Sequence, residues 1–383
     1  MTIPYGRQDV TDADVAAVVA VLRSDFLTQG PAVPRFEAAL ATFCGAAHAV
    51  AVSNATVALH LACRALGLGP EDWLWTSPNT FVASANCALY CGAKVDFVDI
   101  DSRTYNMDAG ALERKLTEAK RVGQLPKIVV PVHFAGQSCD MRAIRALADQ
   151  FGFRIVEDAS HAVGASYLGQ PVGSCLHSDI TVFSFHPVKI ITTAEGGMAV
   201  TNDASLAKRM QVLRSHGITR DDNDMEGPSA GAWYYQQIEL GYNYRMTELQ
   251  AALGLSQFSR LDAYVQRRQE IAKVYDAQLA DLPLTTPWQS PGGLSALHLY
   301  PIRLHHADAR KAVFDGMRKA DIGVNVHYIP VHTQPWYRRF GFRDGDFPQA
   351  EHYYAGAISL PMFPTLGATD QQKVVATLRG MLQ

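Results

Sequence analysis

The stretch Asp179-Ile-Thr-Val-Phe-Ser-Phe-His-Pro-Val-Lys-Ile-Ile-Thr-Thr-Ala-Glu-Gly-Gly197 decides the fold, and the rest of the chain is organised around it. Its first part opens with three β-branched residues and is mostly apolar or aromatic, which predicts a buried strand over Ile180–Phe185. Pro187 cannot donate a hydrogen bond to a neighbouring strand, so the strand ends before it. Lys189 therefore follows the end of a buried strand, where a charged side chain is unusual.

Lys189 has two interpretations at this position. In the first, the side chain points from a loop into solvent, and the local sequence alone favours this interpretation. In the second, the side chain lies in a desolvated pocket, where burial lowers its pKa and leaves a nucleophilic amine that can form a Schiff base. The residues near the other strand ends decide between the two.

The composition is that of an ordinary globular protein and argues against several functional classes. The chain has 383 residues, of which 48% are hydrophobic and 19% charged. A net charge of −3 gives no basic signature for nucleic acid, and the apolar runs are too short to span a membrane. Residues 1–10 lack a signal-peptide pattern and the six cysteines are too sparse for a disulfide framework, so we expect free buried thiols in a cytoplasmic protein. No motif indicates a metal site, a dinucleotide or a nucleoside triphosphate.

Short apolar strands alternate with helical stretches from about residue 49 to residue 202, which predicts an α/β fold with a mostly parallel seven-stranded sheet covered on both faces. The predicted strands are Ala49–Val52, Trp73–Thr76, Lys94–Val98, Lys127–Val132, Arg154–Glu157, Ile180–Phe185 and Met198–Thr201. We expect a large ligand-binding domain over residues 1–246 and a smaller C-terminal α+β domain over residues 247–383. A long helix from about Thr247 to Leu282 would join them, and His298–Leu304 and Gly323–His327 would be strands of the smaller domain.

Polar clusters follow three of the predicted strands, and the carboxyl ends of strands are where parallel sheets bind ligands. The clusters are residues 53–56, 158–161 and 184–189. A lysine, an aspartate and hydroxyl groups at one sheet edge suit pyridoxal 5′-phosphate. Lys189 would supply the amine for the cofactor aldehyde, and Asp158 the carboxylate that keeps the pyridine nitrogen protonated. The alternative for Asp158 is a helix N-cap.

The phosphate and the ring of this cofactor also need partners. The N–H groups of Ala55 and Thr56 begin a predicted helix, and together with the hydroxyls of Thr56 and Ser184 they could bind the phosphate; the alternatives are a capping turn and a small core residue. Phe81 could stack on the pyridine ring, although most helical phenylalanines are core residues. His161 could contact the ring or its phenolic oxygen, against the alternative of a structural histidine.

These motifs, taken together and in this order, resemble those of the DegT/DnrJ family of sugar-nucleotide aminotransferases. The resemblance covers essentially the whole chain and implies the aspartate-aminotransferase (type I) fold. The matching pieces are Leu27-Thr-Gln-Gly30, Ser53-Asn-Ala-Thr56, Val156-Glu-Asp-Ala-Ser-His161, Phe183 to Gly197, Ser215-His-Gly217, Gly241-Tyr-Asn-Tyr-Arg-Met246 and Val326-His-Tyr-Ile-Pro330.

The resemblance implies roles for individual residues. Lys189 would be the Schiff-base lysine, Asp158 the pyridinium partner, and Thr56 and Ser184 phosphate ligands. Asn243 would reach the cofactor phosphate of a neighbouring subunit, so the working unit would be a homodimer with its active site at the subunit interface. The residues that would border the sugar nucleotide are Tyr5, Phe26, Leu27, Thr28, His327 and Tyr328. Many family members carry glutamine where this chain has His161.

Within the family, the lysine segment and Trp233 to Met246 look most like the pseudaminic acid branch. Those enzymes use L-glutamate to aminate C4 of UDP-2-acetamido-2,6-dideoxy-hexos-4-ulose, giving UDP-4-amino-4,6-dideoxy-N-acetyl-altrosamine. A dTDP-keto-sugar 3- or 4-aminotransferase is the nearest alternative. Family dehydratases that use pyridoxamine phosphate replace the lysine with histidine, so Lys189 argues against that activity. An alternative of another class is a regulatory protein that binds pyridoxal phosphate without catalysis.

Overall fold

The computed structural model describes residues 2–383, and its helices and strands are numbered here in chain order. The α-helices are α1 (Asp12–Leu22), α2 (Ala32–Cys44), α3 (Ala55–Ala65), α4 (Ala83–Tyr90), α5 (Ala109–Val122), α6 (Met141–Phe151), α7 (Ala204–Arg214), α8 (Glu248–Phe258), α9 (Leu261–Leu279), α10 (Arg310–Lys319), α11 (Pro335–Arg338), α12 (Pro348–Gly356) and α13 (Ala368–Leu382). The strands are β1 (His48–Val52), β2 (Trp73–Thr76), β3 (Lys94–Phe97), β4 (Ile128–Val130), β5 (Arg154–Asp158), β6 (Ser166–Tyr167), β7 (Gln170–Pro171), β8 (Ile180–Ser184), β9 (Gly197–Thr201), β10 (Ile218–Thr219), β11 (Gln236–Gln237), β12 (Leu284–Thr285), β13 (Gly293–Leu294), β14 (Tyr300–Leu304) and β15 (Ala357–Leu360).

All seven strands predicted for the large sheet are present in it, and the predicted fold class is confirmed. Their order across the sheet is β1-β9-β8-β5-β4-β2-β3. Strand β9 is antiparallel to both of its neighbours, whereas the other pairs are parallel. Because β9 runs back beside β8, the segment between them that carries Lys189 stays at one edge of the sheet.

Both faces of the sheet are covered, as strand alternation requires. In β1, Val50 and Val52 pack into the core that contains α3 and α4, while Ala49 and Ala51 pack into the core that contains α2. Helices α5 and α6 cover the second face farther along the sheet. The sheet is therefore a buried central layer, and only its strand ends are open to a ligand.

A close approach fixes the first helix after β1 at the sheet edge. A Cβ atom at Gly197 would lie 2.5 Å from the carbonyl carbon of Asn54 and 2.6 Å from the backbone nitrogen of Ala55. Only glycine has no Cβ, so Gly197 lets the start of α3 lie against the first residue of β9. Gly197 of the opening stretch thus positions the amino end of α3 beside the strand that follows Lys189.

The C-terminal region departs from the sequence-based prediction in two places. Residues 323–327 form no strand: Gly323 bonds with the N-terminal segment, its N–H donating to the carbonyl of Ile3 at 2.6 Å, and Asn325 forms only an isolated backbone bridge with Ser359. The strand that pairs with β14 is β15 (Ala357–Leu360), which the sequence analysis missed. Strand β15 begins directly after α12, so in the sequence its apolar residues cannot be distinguished from a continuation of that helix.

The long helix expected to join the two domains is in fact a pair of helices, α8 and α9. They are separated at Ser259 and Arg260, where the Ser259 hydroxyl donates to the Ser256 carbonyl at 2.7 Å. The Arg260 guanidinium turns towards α1 and donates to the Asp14 carboxylate at 2.6 Å. These two contacts replace the continued helix, and the division of the chain at residue 246 stays a prediction.

Candidate active site

A cavity of about 760 Å³ lies where β1, β4, β5 and β8 end, at the carboxyl edge of the large sheet. One side of it is formed by residues that follow the sheet strands. The other side comes from the N-terminal segment and the C-terminal region. The predicted site residues that line it are Tyr5, Ala55, Thr56, Phe81, Asp158, His161, Ser184, Lys189, His327 and Tyr328.

Lys189 faces this cavity and not bulk solvent. The side chain is half-buried, and its Nζ atom has no hydrogen-bond partner among residues 2–383. Burial lowers the pKa of the Lys189 ammonium to about 8, although the negative charge of Asp158 acts in the opposite direction. About a tenth of this lysine is therefore an uncharged amine at pH 7, far more than for an ordinary lysine, and the uncharged amine is the state that the second interpretation requires.

Asp158 ends β5 with its side chain turned into the cavity and 5% of the residue exposed. Its Oδ2 atom accepts a hydrogen bond from the Ser84 hydroxyl at 2.6 Å, and Oδ1 accepts one from the backbone N–H of Ser160 at 3.1 Å. No helix begins after Asp158 in this part of the structure, so the N-cap alternative does not apply. A buried carboxylate held by a hydroxyl and an amide is suited to binding a pyridinium N–H.

Ser84 was missed by the sequence analysis, although it contacts Asp158 directly. It lies in the first turn of α4 and is 1% exposed. Since its proton goes to Asp158, its oxygen can accept from the Thr80 hydroxyl, which lies 2.7 Å away. Nothing in the local sequence separates this serine from an ordinary small core residue, because its partner is 74 residues away in the chain.

The proposed phosphate site lies where α3 begins. The Asn54 side chain caps the helix by accepting from the Val57 N–H at 3.0 Å. The N–H groups of Ala55 and Thr56, and the hydroxyls of Thr56 and Ser184, have no hydrogen-bond partner in the described part of the chain. A helix amino terminus with two free hydroxyls is a site for an anion such as phosphate.

The polar groups around the cavity match the polar parts of pyridoxal 5′-phosphate one by one. A free amine, a buried carboxylate and a set of free N–H and hydroxyl groups correspond to its aldehyde, its ring nitrogen and its phosphate. Within residues 2–383 no group of three or more His, Cys, Asp or Glu side chains could hold a metal ion. The donor set therefore fits this organic cofactor.

Phe81 and His161 border the space between these groups. Phe81 precedes α4 and is 58% exposed, which leaves its ring free to stack on a ligand. His161 is buried, and its Nδ1 accepts from the backbone N–H of Ala135 at 3.3 Å while its Nε2 lies 3.1 Å from the Tyr328 hydroxyl. The side chain thus has two protein partners before any ligand is bound.

The C-terminal region contributes an aromatic and largely uncharged side to the cavity. His327 is bonded through Nδ1 to the Ser359 hydroxyl at 2.8 Å, and burial together with the charge of Lys189 lowers its pKa to about 3. His298, which the sequence analysis did not single out, lies with its ring centroid 4.4 Å from that of His161. Burial lowers the pKa of His298 well below its usual value, so the rings of His298 and His327 are both neutral at physiological pH.

Four predicted site residues lie outside this cavity. Phe26, Leu27 and Thr28 form an exposed loop, with the first two 53% and 50% exposed. Asn243 is also exposed and pairs through its backbone with Ser215. The predicted role of Asn243 requires a second subunit, and the roles of all four residues stay predictions.

Comparison with known proteins gives a family over almost the whole chain. Residues 8–379 match the DegT/DnrJ/EryC1/StrS aminotransferase family. The chain is 40% identical to the Bacillus subtilis spore coat polysaccharide biosynthesis protein SpsC, over 100% of this chain and 97% of that protein. It is 37% identical to a Campylobacter jejuni UDP-4-amino-4,6-dideoxy-N-acetyl-beta-L-altrosamine transaminase, over 100% of this chain and 98% of that protein.

Solved structures agree with this assignment. Helicobacter pylori PseC, an aminotransferase involved in pseudaminic acid biosynthesis, superposes with a TM-score of 0.91 at 33% identity, covering 100% of this chain and 99% of PseC. A Streptococcus pneumoniae protein solved in a PLP form superposes with a TM-score of 0.90 at 31% identity, covering 100% and 98% of the two chains. The chain therefore belongs to the DegT/DnrJ/EryC1/StrS aminotransferase family, and it is an aminotransferase that uses pyridoxal 5′-phosphate.

Proposed function

We propose that the protein transfers the amino group of L-glutamate to C4 of a UDP-linked 4-keto-6-deoxy sugar. The proposed acceptor is UDP-2-acetamido-2,6-dideoxy-hexos-4-ulose, and the product is UDP-4-amino-4,6-dideoxy-N-acetyl-altrosamine, as in pseudaminic acid biosynthesis. The observation that carries the proposal of catalysis is the unpartnered amine of Lys189 in the same cavity as Asp158. The choice of sugar is supported by the names of the Campylobacter jejuni and Helicobacter pylori relatives.

The residues of the chain divide the chemistry between them. Bound pyridoxal phosphate supplies an electron sink for the carbanion that forms at the reacting carbon. Asp158 holds the proton on the ring nitrogen, which keeps that sink effective. Lys189 would hold the cofactor through its Nζ atom, and its free amine would take the Cα proton of glutamate as a general base. In the second half of the cycle the same amine delivers a proton to C4 of the sugar.

The proposed working unit is a homodimer in the cytoplasm. Asn243 is exposed and does not line the cavity of its own chain, which is what a residue serving the neighbouring subunit's cofactor phosphate requires. The exposed apolar side chains of Phe26 and Leu27 are suited to burial against a second copy. All six cysteines are buried and free, as predicted, which is compatible with a reducing compartment.

Subunit complementation tests the shared site. Lys189→Ala and Asn243→Ala, each impaired alone, would be co-expressed with different affinity tags and the mixed dimer purified. A mixed dimer has one site that carries both substitutions and one that carries neither, so we expect about half of the wild-type activity. Activity no higher than that of the Asn243→Ala homodimer would reject the proposed role of Asn243.

The substrate proposal is tested by turnover with a panel of acceptors. The holoenzyme would be incubated with L-glutamate and UDP- or dTDP-linked keto sugars carrying the carbonyl at C3 or C4, and 2-oxoglutarate formation would be measured. We expect the highest kcat/KM with the UDP-linked 4-keto N-acetyl sugar. Preference for a dTDP-linked or 3-keto sugar would favour the alternative aminotransferase. No turnover with any acceptor, with the cofactor bound, would favour a binding protein.

A further inference from the structure

His161 lies between two groups that fix which of its nitrogens carries a proton. The Ala135 N–H donates to Nδ1 at 3.3 Å, so Nδ1 must be unprotonated. Burial, followed by the positive charge of Lys189, lowers the pKa of His161 well below its usual value. The ring is therefore neutral at physiological pH, and its single proton lies on Nε2.

This tautomer determines the direction of the next hydrogen bond. The His161 Nε2–H lies 3.1 Å from the Tyr328 hydroxyl, so it donates and the tyrosine oxygen accepts. Burial, followed by the negative charge of Asp158, raises the pKa of Tyr328, so the hydroxyl keeps its own proton. That oxygen has no second partner among residues 2–383, and Tyr328 lines the cavity together with Lys189. Its O–H group is thus a donor without an acceptor in the protein.

The surroundings hold this pair in one arrangement. The rings of His161 and Tyr328 are nearly parallel, at 20°, with centroids 6.0 Å apart, and the Tyr328 N–H donates to the Asn79 side chain at 3.4 Å. The other titratable groups facing the pair are His298, His327, Lys189, Asp158, Tyr5 and Tyr353. The two histidines among them are neutral, and Asp158 already accepts from Ser84 and Ser160.

We propose that Tyr328 donates a hydrogen bond to an oxygen of the molecule bound next to Lys189, and that His161 is the positioning residue that makes this donation obligatory. The acceptor is a polarised oxygen: either the carbonyl oxygen of the keto substrate or the phenolic oxygen of the cofactor. The inference rests on the proposed aminotransferase reaction but not on the choice of sugar. His161 lines the cavity, and the role assigned here is one that it performs through Tyr328.

The tautomer is measured directly by NMR of the holoenzyme. The protein would be labelled with ¹⁵N-histidine, and the His161 signals assigned by comparison with His161→Gln. We expect a neutral ring with the proton on Nε2 throughout pH 6–9. A proton on Nδ1, or an imidazolium at pH 7, would overturn the proposal. This measurement does not depend on any sugar being turned over.

The donation is tested by a double-mutant cycle on single half-reactions. The pyridoxamine form would be mixed with 2-oxoglutarate, a carbonyl substrate that any glutamate-dependent aminotransferase accepts in reverse. We expect Tyr328→Phe and His161→Leu each to slow this half-reaction about tenfold, and the double variant to be no slower than Tyr328→Phe. His161→Gln should retain most of the rate, because its amide can accept from Ala135 and donate to Tyr328.

Losses of rate that multiply in the double variant, or a His161→Gln variant as slow as His161→Leu, would contradict the positioning role.

Measurements on the holoenzyme without substrate show whether the acceptor oxygen belongs to the cofactor or to the substrate. If it is the cofactor, Tyr328→Phe will also shift the visible absorbance and weaken pyridoxal phosphate binding. If it is the substrate, both will match the wild type while the half-reaction is slowed. No change in any of these for Tyr328→Phe would overturn the proposal.

Discussion

The two sides of the cavity differ in how far their polar groups are hydrogen-bonded within the protein. The sheet wall, defined as Thr56, Asp158, Ser184 and Lys189, presents an amine and hydroxyls that have no hydrogen-bond partner in the described chain. The C-terminal wall, defined as His298, Asn325, His327 and Tyr328, has most of its polar groups bonded within the protein, although among residues 2–383 the His298 Nδ1 atom has no partner and the Tyr328 hydroxyl has no acceptor. His327 bonds to Ser359 at 2.8 Å and Tyr328 to His161 at 3.1 Å.

The difference indicates what each wall is for. Unpartnered groups in a buried setting leave a free-energy cost that a ligand with complementary groups removes on binding, so the sheet wall is built to bind the cofactor. Groups that are already bonded and neutral lose little when a ligand enters, and they give the cavity a fixed shape. The C-terminal wall is therefore suited to orienting the substrate, and substitutions in the two walls should affect different steps.

Lys189→Ala should have the largest effect of any substitution in either wall. Loss of the amine removes both the covalent anchor and the general base, so we expect turnover to fall by at least about 10⁴-fold. The measurement is 2-oxoglutarate formation under saturating cofactor. Lys115→Ala is a matched control, because burial also lowers the pKa of Lys115 but that residue does not line the cavity. Comparable losses in both variants would show a general effect on folding.

Asp158→Asn should come next, with kcat lowered roughly 10²–10³-fold. An amide cannot hold the proton on the pyridine nitrogen as a carboxylate does, so the carbanion is less stabilised. Single-turnover kinetics with glutamate would report the step directly. A rate within threefold of wild type would mean that Asp158 does not face the ring nitrogen.

Ser84→Ala should weaken pyridoxal phosphate binding roughly ten- to hundredfold, because it removes a charge-assisted hydrogen bond to Asp158 worth about 1.5–3 kcal/mol. Ser178→Ala is a matched control. Ser178 donates to Glu157, the neighbouring carboxylate on the opposite face of the same strand. Equilibrium titration of the apoenzyme with cofactor should show weaker binding for Ser84→Ala only. Equal weakening in both variants would argue for a loss of packing.

The pH dependence of cofactor uptake should be the smallest effect but the most specific to the sheet wall. The Lys189 ammonium has a pKa of about 8, so the reactive amine increases from about a tenth at pH 7 to about nine-tenths at pH 9. The rate at which apoenzyme gains visible absorbance should rise with pH through this range. In Asp158→Asn the inflection should move to lower pH, because the carboxylate raises the pKa of Lys189. An unchanged inflection would mean that the two groups do not interact.

The sheet wall could be predicted from the sequence because each of its residues lies at or soon after the end of a short apolar strand. The alternation of strands and helices brings residues 56, 158, 184 and 189 to one edge without further information, and the structure has them there. Ser84 was not accessible in the same way, since its role comes only from α4 packing against the end of β5.

The C-terminal wall could not be derived from local patterns. His327 and Tyr328 were predicted only through the family resemblance, and His298 was not predicted at all. These residues lie before and after short strands of a separate sheet, and tertiary packing alone turns them towards Lys189. Strand β15 was also missed, because the sequence shows no turn between it and α12.

The central claim is that Lys189 is the amine that holds the cofactor. Borohydride reduction of the holoenzyme, followed by proteolysis and mass spectrometry of the peptides, tests it directly. The account predicts a reduced pyridoxyl group on the peptide that contains Lys189, and none on that peptide from Lys189→Ala. A modified peptide that contains another lysine of the wild-type chain would contradict it.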